Sequence, residues 1–427
     1  MKRNHNYRAV AEFETQESVL VSWPADTFSC KGENIEEVIT KIIKVLVNNV
    51  HVFVQCYYPT ITHAKEYLEK SNVDTSNITF VKYESDEVVV NEDLYVETTY
   101  PRDYGAEIVM NNDGKRAVID FDNAYYTTAG ANCYTREAKA IRAFGRWHAS
   151  LESIDNIIFT RLISEGGDRE FNGNGVMICI EDTEVNKRNP GFTKEEVENE
   201  FKSIFNLDKV IWIPKCTFED EDHFAGLISG PTGELDAYRS SSANGHIDEM
   251  CRFASEDTII LAEVTDEEAK HNEIGRLNKE RLDLAFEVLK KSSTKNRKSF
   301  NILRIPVPNP IYYSINEDDV LHQIWMETKG ELGNKLLDGS PYPEGKMTVL
   351  PAQSYCNFLI TNNVVIGQKY YREGMDLSHL QKDQEAKRVL EEAFPDRKVI
   401  QIDSMALNIL GGGVHCATRQ IPRSKQY

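Results

Sequence analysis

One cysteine near the C-terminal end of the chain stands in a sequence that would present its thiol. Cys416 closely follows three consecutive glycines in the run GGGVHCATRQIP, which spans Gly411 to Pro422. Glycine has no side chain, so such a loop can bend sharply or pass close to a ligand. The alternative is that Cys416, one of eight cysteines, fills apolar space as free cysteines often do. The glycines and the adjacent His415 favour a functional thiol.

Two acidic residues stand beside glycines where strands are predicted to begin. Asp103, in YPRDYGAEIVM, would place a carboxylate at a strand mouth, although an Arg–Asp pair before a turn is more commonly a surface ion pair. Glu165 opens the segment EGGDREFNGNGVMICI. A tight hairpin at Gly173 and Gly175 explains the later glycines of this segment, but it gives Glu165 no role.

A histidine and two further polar residues complete the set. His246 and Asp248, in NGHIDEMCRF, share one face of an extended segment because side-chain direction repeats every second residue. An imidazole beside a carboxylate suits general acid–base chemistry, and a structural histidine is an equally consistent interpretation. Asn357, in LPAQSYCNFLITN, could donate to a ligand or simply pack at a strand end.

Together these clusters resemble the agmatine deiminase family, which is grouped with the bacterial (Porphyromonas-type) peptidylarginine deiminases in the guanidine-modifying superfamily. The matching motifs run in order along nearly the whole chain: WP at Trp23–Pro24, RDYG at Arg102–Gly105, EGG at Glu165–Gly167, NKRNP at Asn186–Pro190, GHID at Gly245–Asp248, LPAQSYCNF at Leu350–Phe358, and the GGGVHCATRQIP run.

The resemblance implies both a fold and a set of roles. The fold is an α/β propeller of the pentein type, with five pseudo-repeated strand and helix units around a central active site. Cys416 would be the nucleophile and His246 the general acid and base. Asp103 and Asp248 would grip the substrate, and Glu165 would help hold it or orient the histidine. Further substrate-binding candidates are Tyr100, Arg102, Asn357, Trp23 and Arg239.

The implied reaction is cysteine-dependent hydrolysis of a guanidinium group to a ureido group and ammonia. A guanidinium is a planar, permanently charged fork of donors, so two carboxylates in its plane can hold it while a thiolate attacks from above. Agmatine, giving N-carbamoylputrescine, is the favoured substrate. Free arginine or peptidylarginine, giving citrulline, is the first alternative, and an amidinotransferase sharing the thiouronium intermediate is the second. A propeller that only binds a cation or a protein is the non-enzymatic alternative.

Two segments depart from the family pattern at the far end of the substrate. Members that use agmatine carry an acid a few residues before the GHxD histidine, whereas residues 239–243 here read RSSSA. Members that use peptidylarginine carry arginines after the second strand, whereas residues 123–127 read NAYYT. Tyr100 stands where many relatives have tryptophan and could stack on a cation. Arg239 would suit a substrate with a carboxylate, such as arginine.

Composition limits the partners and the compartment. A net charge of −19 argues against nucleic acid and anionic membranes and favours a small cationic substrate. No signal peptide or membrane-spanning run is evident, and eight cysteines without a C-x-x-C pair are typical of free thiols in the cytoplasm. The scattered histidines predict no metal site, and the reaction requires no cofactor. A homo-oligomer is one option that the sequence leaves open.

The elements that must position these residues alternate between strands and helices. Strands are predicted at 18–23 and 51–56 around an amphipathic helix at 35–46, and similar units follow along the chain. Thr193 and Glu196 form a predicted capping box before another helix. This pattern predicts one α/β domain over residues 1–427, with inserted loops at 84–97 and 328–346.

Overall fold

The computed structural model describes residues 6–24, 29–90, 99–123, 135–332 and 334–424. The helices within these ranges are α1 (Ile35–Leu46), α2 (Ile61–Lys70), α3 (Pro101–Tyr104), α4 (Arg136–Ser150), α5 (Lys194–Phe205), α6 (Glu273–Lys291), α7 (Val320–Leu332), α8 (Leu377–Ala393) and α9 (Met405–Ile409). Among the described residues, none of these helices is both long enough and apolar enough to cross a bilayer.

The strands of the first half are β1 (Arg8–Ala9), β2 (Gln16–Ser22), β3 (Ser29–Cys30), β4 (Glu33–Asn34), β5 (His51–Cys56), β6 (Ile78–Lys82), β7 (Glu107–Met110), β8 (Arg116–Asp120), β9 (Ile157–Phe159), β10 (Glu170–Phe171), β11 (Val176–Ile180) and β12 (Lys209–Ile213). Those of the second half are β13 (Ile228–Ser229), β14 (Leu235–Arg239), β15 (Cys251–Phe253), β16 (Thr258–Glu263), β17 (Asn301–Pro306), β18 (Tyr313–Ile315), β19 (Met347–Leu350), β20 (Leu359–Thr361), β21 (Val364–Lys369), β22 (Lys398–Asp403) and β23 (Thr418–Pro422).

Local sequence signals account for the helix ends. The Asn34 side chain caps α1 by accepting from the backbone N–H of Glu37, and the isoleucines of α1 face the core. Helix α5 begins with the predicted capping box of Thr193 and Glu196 and ends at Asn206, which has a left-handed backbone with φ of 52°. The predicted alternation of strands and helices is therefore confirmed.

Five sheets share one pairing pattern, in which the first strand runs antiparallel to the second and the second runs parallel to the third. They contain β23–β2–β5, β7–β8–β9, β10–β11–β12, β15–β16–β17 and β20–β21–β22. In each sheet a helix connects the two parallel strands, in order α1, α4, α5, α6 and α8. Parallel strands require such a crossover, so each sheet is one strand–helix–strand unit with an added antiparallel strand.

A further sheet is assembled from two stretches that are distant in sequence. Its order is β13–β14–β19–β18, and β14 pairs with β19 in parallel register. Helix α7 precedes β19 and buries Trp325, whose indole N–H donates to the carbonyl of Ser240 at 2.9 Å. Strand β14 ends at Arg239, shortly before the GHID motif begins at Gly245, so this sheet adjoins that motif in the sequence.

The two predicted inserted loops have different outcomes. The loop expected at 328–346 begins inside α7, so the prediction is wrong for residues 328–332. The buried residues Leu321 and Trp325 anchor the first part of α7, and the helix continues into the stretch that contains glycine. In the loop expected at 84–97, Asp86 and Glu87 form ion pairs with Arg146. Residues 91–97 of that loop lie outside the described residues.

Candidate active site

Six of the predicted site residues stand at equivalent positions relative to five different sheets. Each stands a few residues before the first strand of its sheet: Asp103 before β7, Glu165 before β10, His246 and Asp248 before β15, Asn357 before β20 and Cys416 before β23. All six side chains are buried. Equivalent positions in five similar units bring residues that span most of the sequence into one cluster.

Asn357 holds the thiol of Cys416 and the loop that carries it. Its Nδ2 donates to Sγ of Cys416 at 3.0 Å, and its Oδ1 accepts from the backbone N–H groups of His415 at 2.9 Å and Cys416 at 3.3 Å. A Cβ on Gly413 would lie 2.5 Å from that Oδ1, so a side chain there would displace the amide. A hydrogen-bond donor directed at sulfur stabilises a thiolate. Asn357 is therefore placed to stabilise the ionised form of the candidate nucleophile Cys416.

The carboxylate of Asp248 has one engaged oxygen and one open oxygen. Its Oδ2 accepts from Nδ1 of His415 at 2.6 Å and lies 3.7 Å from Sγ of Cys416. Its Oδ1 is buried and has no hydrogen-bond partner among the residues that the structure describes. A buried acceptor of this kind is costly unless a ligand pairs with it. The open oxygen is therefore a place for a donor of a bound molecule.

His246 lies between two other carboxylates. Its Nδ1 is 3.6 Å from Oδ1 of Asp103, and its Nε2 is 3.5 Å from Oε2 of Glu165. Asp103 is fixed by the backbone N–H of Gly167 at 2.9 Å, and Glu165 by Nε of Arg188 at 2.8 Å. The histidine therefore has an acid at each nitrogen, and each acid has its own support.

These surroundings shift the pKa values of the titratable groups in opposite senses. Burial alone would lower the pKa of His246, but the charges of Asp103 and Glu165 outweigh burial and raise it to about 9. Burial, together with the negative charges of Asp248 and its neighbours, raises the pKa of the Cys416 thiol well above its ordinary value. Without a ligand, the site therefore holds a thiol and an imidazolium at neutral pH.

Two acids that the sequence analysis did not single out shape the loop around His246. Asp220 accepts backbone N–H bonds from Ala243, Gly245 and His246, the last at 2.7 Å. Asp168 accepts from the backbone N–H of Ile247 at 2.9 Å. The acidic run FEDED at 218–222 was the available signal for the first of these acids.

An acid from another part of the chain lies near the segment 239–243. Residues 239–243 contain no acid, but Asp222 approaches the same loop and its Oδ2 lies 3.5 Å from Nδ2 of Asn244. Strands β13 and β14 separate Asp222 from Asn244 in sequence. Residues 239–243 themselves carry no acid, as the sequence indicates, but folding brings the acidic run at 218–222 next to the same loop.

Both arginines proposed for substrate binding already bind the protein. Arg102 donates from Nε to the carbonyl oxygen of His415 at 3.2 Å and so braces the nucleophile loop. Arg239 donates from Nε to the carbonyl oxygen of Phe218 at 2.9 Å and from Nη2 to Glu221 at 3.1 Å. Their assignment to the substrate stays a prediction, and the structure gives both side chains contacts within the protein.

The two aromatic candidates border the same apolar core but contact different parts of the chain. The hydroxyl of Tyr100 donates to the carbonyl oxygen of Leu407 at 2.7 Å, and a Cβ on Gly412 would lie 2.6 Å from the Tyr100 ring. Tyr100 therefore packs beside the nucleophile loop. Trp23 is buried in the core beneath the β2 sheet, with its ring centroid 5.6 Å from that of Tyr67.

Among the residues that the structure describes, two groups of side chains bring metal-ligand atoms within 4.8 Å of one another: Glu12, Glu170 and His415, and Asp248, Glu249 and Cys416. Arg252 forms ion pairs with both acids of the first group, so a cation of the protein itself supplies the charge that these acids require. The second group contains the candidate nucleophile and the acid beside it. The charges of the first group are therefore balanced without a metal ion.

Known proteins match this chain over nearly its whole length. The agmatine deiminase of Pseudomonas fluorescens (strain SBW25) is 23% identical over 424 residues, which are 98% of this chain and 96% of that protein. The structure of the agmatine deiminase of Enterococcus faecalis matches with a TM-score of 0.71 at 20% identity and covers 98% of this chain and 97% of its own. The agmatine deiminase of C. jejuni matches with a TM-score of 0.67 at 20% identity over 100% of both chains.

The match to a protein family is equally extensive. The family model described as Porphyromonas-type peptidyl-arginine deiminase matches residues 8–227 and 234–422. The gap between the two stretches falls at β13 and the turn that follows it, in the added sheet. Every candidate residue described above lies inside a matched stretch. The chain therefore belongs to the Porphyromonas-type peptidyl-arginine deiminase family.

Proposed function

We propose that the protein is a hydrolytic deiminase that converts the guanidinium group of a small substrate into a ureido group and ammonia. One observation carries the proposal: a thiol, an imidazole and three carboxylates, which precede the first strands of four different sheets, form one buried cluster. Each of these groups is needed once in a cysteine-dependent deimination, and membership of the family supports the same reaction.

Agmatine is the substrate that the observations favour. Relatives that match over nearly the whole chain include several that are named as agmatine deiminases. Asp222 supplies a negative charge near the loop of His246, where the amine at the far end of agmatine would need one. The candidate carboxylate binder Arg239 is already bound to Glu221, which favours agmatine over free arginine.

Asp103 and Asp248 form the guanidinium clamp in this proposal. The open Oδ1 of Asp248 accepts one N–H of the substrate, and the carboxylate of Asp103 accepts from another edge. The central carbon then faces Sγ of Cys416. The bound cation also neutralises the carboxylates that raise the pKa of the thiol, so substrate binding itself favours loss of the thiol proton.

The first half of the reaction forms a covalent intermediate. The thiolate of Cys416 attacks the guanidinium carbon and gives a neutral tetrahedral adduct. His246, which is an imidazolium because its pKa is raised to about 9, gives its proton to the departing amino group. The carbon–nitrogen bond breaks, ammonia leaves, and a positively charged S-alkylthiouronium remains on the enzyme.

The second half returns the enzyme to its starting state. The now neutral His246 takes a proton from water while the hydroxide adds to the thiouronium carbon. The carbon–sulfur bond breaks, the thiolate of Cys416 leaves, and the hydroxyl proton passes to solvent as the ureido product forms. Glu165 stays ionised because Arg188 and His246 offset its burial and lower its pKa to about 2, so it orients the imidazole throughout.

The architecture proposed with this function is a five-unit propeller in a single domain over residues 1–427. Support comes from the five sheets with one pairing pattern and from site residues that precede the first strand of each sheet. A central site fed by five units explains why residues as distant as Asp103 and Cys416 belong to one cluster.

A substrate screen with product identification tests the proposal. Agmatine, arginine, arginine peptides and other guanidino compounds are incubated with the enzyme, and ammonia and ureido products are measured by mass spectrometry. We expect N-carbamoylputrescine and ammonia from agmatine in the absence of any amine acceptor. Turnover that requires an added amine would identify an amidinotransferase instead, and citrulline as the main product would identify an arginine substrate.

The pH dependence of kcat/KM is expected to rise toward alkaline pH. The reactive form contains the thiolate of Cys416 and the imidazolium of His246. It forms when the site, in which both groups start protonated, loses one proton. Because the pKa of His246 is raised to about 9 and that of Cys416 is raised well above its usual value, this proton is lost only in the alkaline range. A pH–rate profile with its maximum near about pH 6 would contradict the assignment.

Asp222→Asn is expected to raise the KM for agmatine about tenfold and to change kcat little, because it removes a charge that faces the far amine and not the reacting carbon. The KM for butylguanidine, whose tail has no charge, should stay the same. Glu234→Gln, at an exposed acid on the neighbouring hairpin, is the matched control for net charge. Equal effects of Asp222→Asn on both substrates would remove Asp222 from the far-end site.

A further inference from the structure

His415 is in contact with carboxylates at both of its ring nitrogens. Nδ1 lies 2.6 Å from Oδ2 of Asp248, and Nε2 lies 2.7 Å from Oε2 of Glu12. The ring is buried, and the proposed reaction gives it no step. A ring that carries a proton on each nitrogen donates to both acids at once. His415 thus links the guanidinium clamp to a residue 403 positions away in the sequence.

Glu12 is itself held in place on its other sides. Its Oε1 accepts from the backbone N–H of Ile360 at 2.7 Å, and its Oε2 forms ion pairs with Arg252 at 3.0 Å and with Arg102 at 3.5 Å. The charges of His415 and the two arginines outweigh burial and lower the pKa of Glu12 well below its usual range. The Nε2 side of the His415 ring is therefore held by Glu12, whose carboxylate is ionised and forms hydrogen bonds through both of its oxygens.

The backbone of His415 is equally constrained. Its N–H donates to Oδ1 of Asn357, and its carbonyl oxygen accepts from Nε of Arg102. With the backbone and one ring nitrogen fixed, Nδ1 can point in only one direction. That direction is occupied by Oδ2 of Asp248, which leaves Oδ1 of the same carboxylate open to the substrate.

We propose that His415, clamped between Asp248 and Glu12, is a positioning residue that engages one oxygen of Asp248 and so aims the other oxygen at the guanidinium of the substrate. The inference rests on the proposed function, because it gives Asp248 a partner in the substrate. His415 does not touch the substrate in this arrangement. It acts through the orientation and the ionisation of the acid that does.

The charge on Asp248 depends on several groups packed around it. Burial would raise its pKa, and the hydrogen bond and charge of His415 lower it, followed by the charges of His246 and Arg252. The titratable and charged groups that interact with Asp248 are His415, His246, Arg252, Arg102, Cys416, Cys356, Glu249 and Asp220. His415 is the one among them that donates a hydrogen bond to it at 2.6 Å.

A pair of substitutions separates the two ends of the ring. In His415→Asn the amide nitrogen replaces Nδ1 and can still donate to Asp248, whereas in His415→Gln it replaces Nε2 and reaches Glu12 instead. We expect His415→Gln to lower kcat/KM for agmatine by roughly a hundredfold, mainly through KM. His415→Asn should lose no more than about tenfold. Equal values of kcat/KM for the two variants, within about threefold, would overturn the proposal.

The pH profile adds a measurement that a purely structural role would not change. Loss of His415 removes the neighbour that lowers the pKa of Asp248, so the folded-state pKa of that acid rises. Protonation of Asp248 should cause a further fall of kcat/KM at acidic pH, below the alkaline rise that the thiol sets, and in His415→Gln this further fall should begin at a higher pH than in the wild type. Glu12→Gln removes the charge behind the ring and should shift the profile in the same direction by less. An unchanged acidic limb in both variants would contradict the clamp.

Nuclear magnetic resonance of the substrate-free enzyme distinguishes failure of the clamp from failure of the proposed function. The wild type should show two strongly downfield N–H protons that belong to His415 and are identified by their loss in His415→Gln, in addition to any signal of His246. One of the two should be displaced in Glu12→Gln. If the wild type turned over no guanidino compound, the proposed function would fall while these signals still decided the clamp. If His415→Gln did not fold, Glu12→Gln would carry both readouts. Absence of the two signals in the wild type would overturn the inference.

Discussion

Cys416→Ala is expected to abolish turnover of agmatine, with kcat lowered by at least about 10⁴-fold, because no other group in the cluster can form the thiouronium intermediate. The clamp of Asp103 and Asp248 does not depend on the thiol, so the variant should still bind agmatine. Steady-state kinetics and titration calorimetry measure the two effects separately. The expected combination is loss of chemistry with retained affinity.

The matched control is a second buried cysteine that the mechanism does not use. Cys56 lies in β5, which pairs with β2, and its side chain belongs to the hydrophobic core next to that sheet. Cys56→Ala should retain the turnover of the wild type and lose a little thermal stability through the cavity that it leaves. If Cys416→Ala retained full turnover, or if Cys56→Ala abolished it in a folded protein, the nucleophile would have to be assigned elsewhere.

Much of the fold could be predicted because local patterns specify it. The helix predicted at 35–46 begins and ends as predicted, and the strand at 51–56 is likewise confirmed. Helix α2 was missed because it buries only Ala64 and Leu68, which is too weak an apolar stripe to recognise. The added sheet was missed because β14 and β19 come from distant stretches, and neither shows a strong strand pattern by itself.

In the candidate site, too, the residues that stand in local motifs were predicted and their distant partners were not. Asp103, His246 and Cys416 could be singled out because each stands in a short motif with glycine, and the resemblance of those motifs to a known family suggested that they meet. The supports of these residues were missed, because the sequence does not show which distant acids pack against them. Asp220 holds the loop of His246 from beyond β13 and β14, and Glu12 reaches the nucleophile loop from the opposite end of the chain.

The second large effect is expected at Gly167, which packs against three functional groups at once. A Cβ there would lie 2.5 Å from Nδ1 of His246, 2.9 Å from Oδ1 of Asp103 and 3.1 Å from Oδ2 of Asp248. These separations are shorter than ordinary van der Waals contacts, so the methyl group of Gly167→Ala must push the imidazole and the carboxylates apart. The residue has no left-handed backbone, so the substitution acts through this contact and not through φ.

Gly167→Ala should therefore lower kcat/KM by roughly a hundredfold, because displacements of even about 1 Å in a catalytic geometry have effects of that size. The cost in stability should be about 1–3 kcal/mol, as for other overpacked interiors, and thermal unfolding measures it. Gly191→Ala is the matched control, since a Cβ at Gly191 has no atom within 4 Å. The control should match the wild type in both measurements. A Gly167→Ala enzyme that folds and keeps its kcat/KM within about threefold would show that His246 and the two acids do not act from the positions seen here.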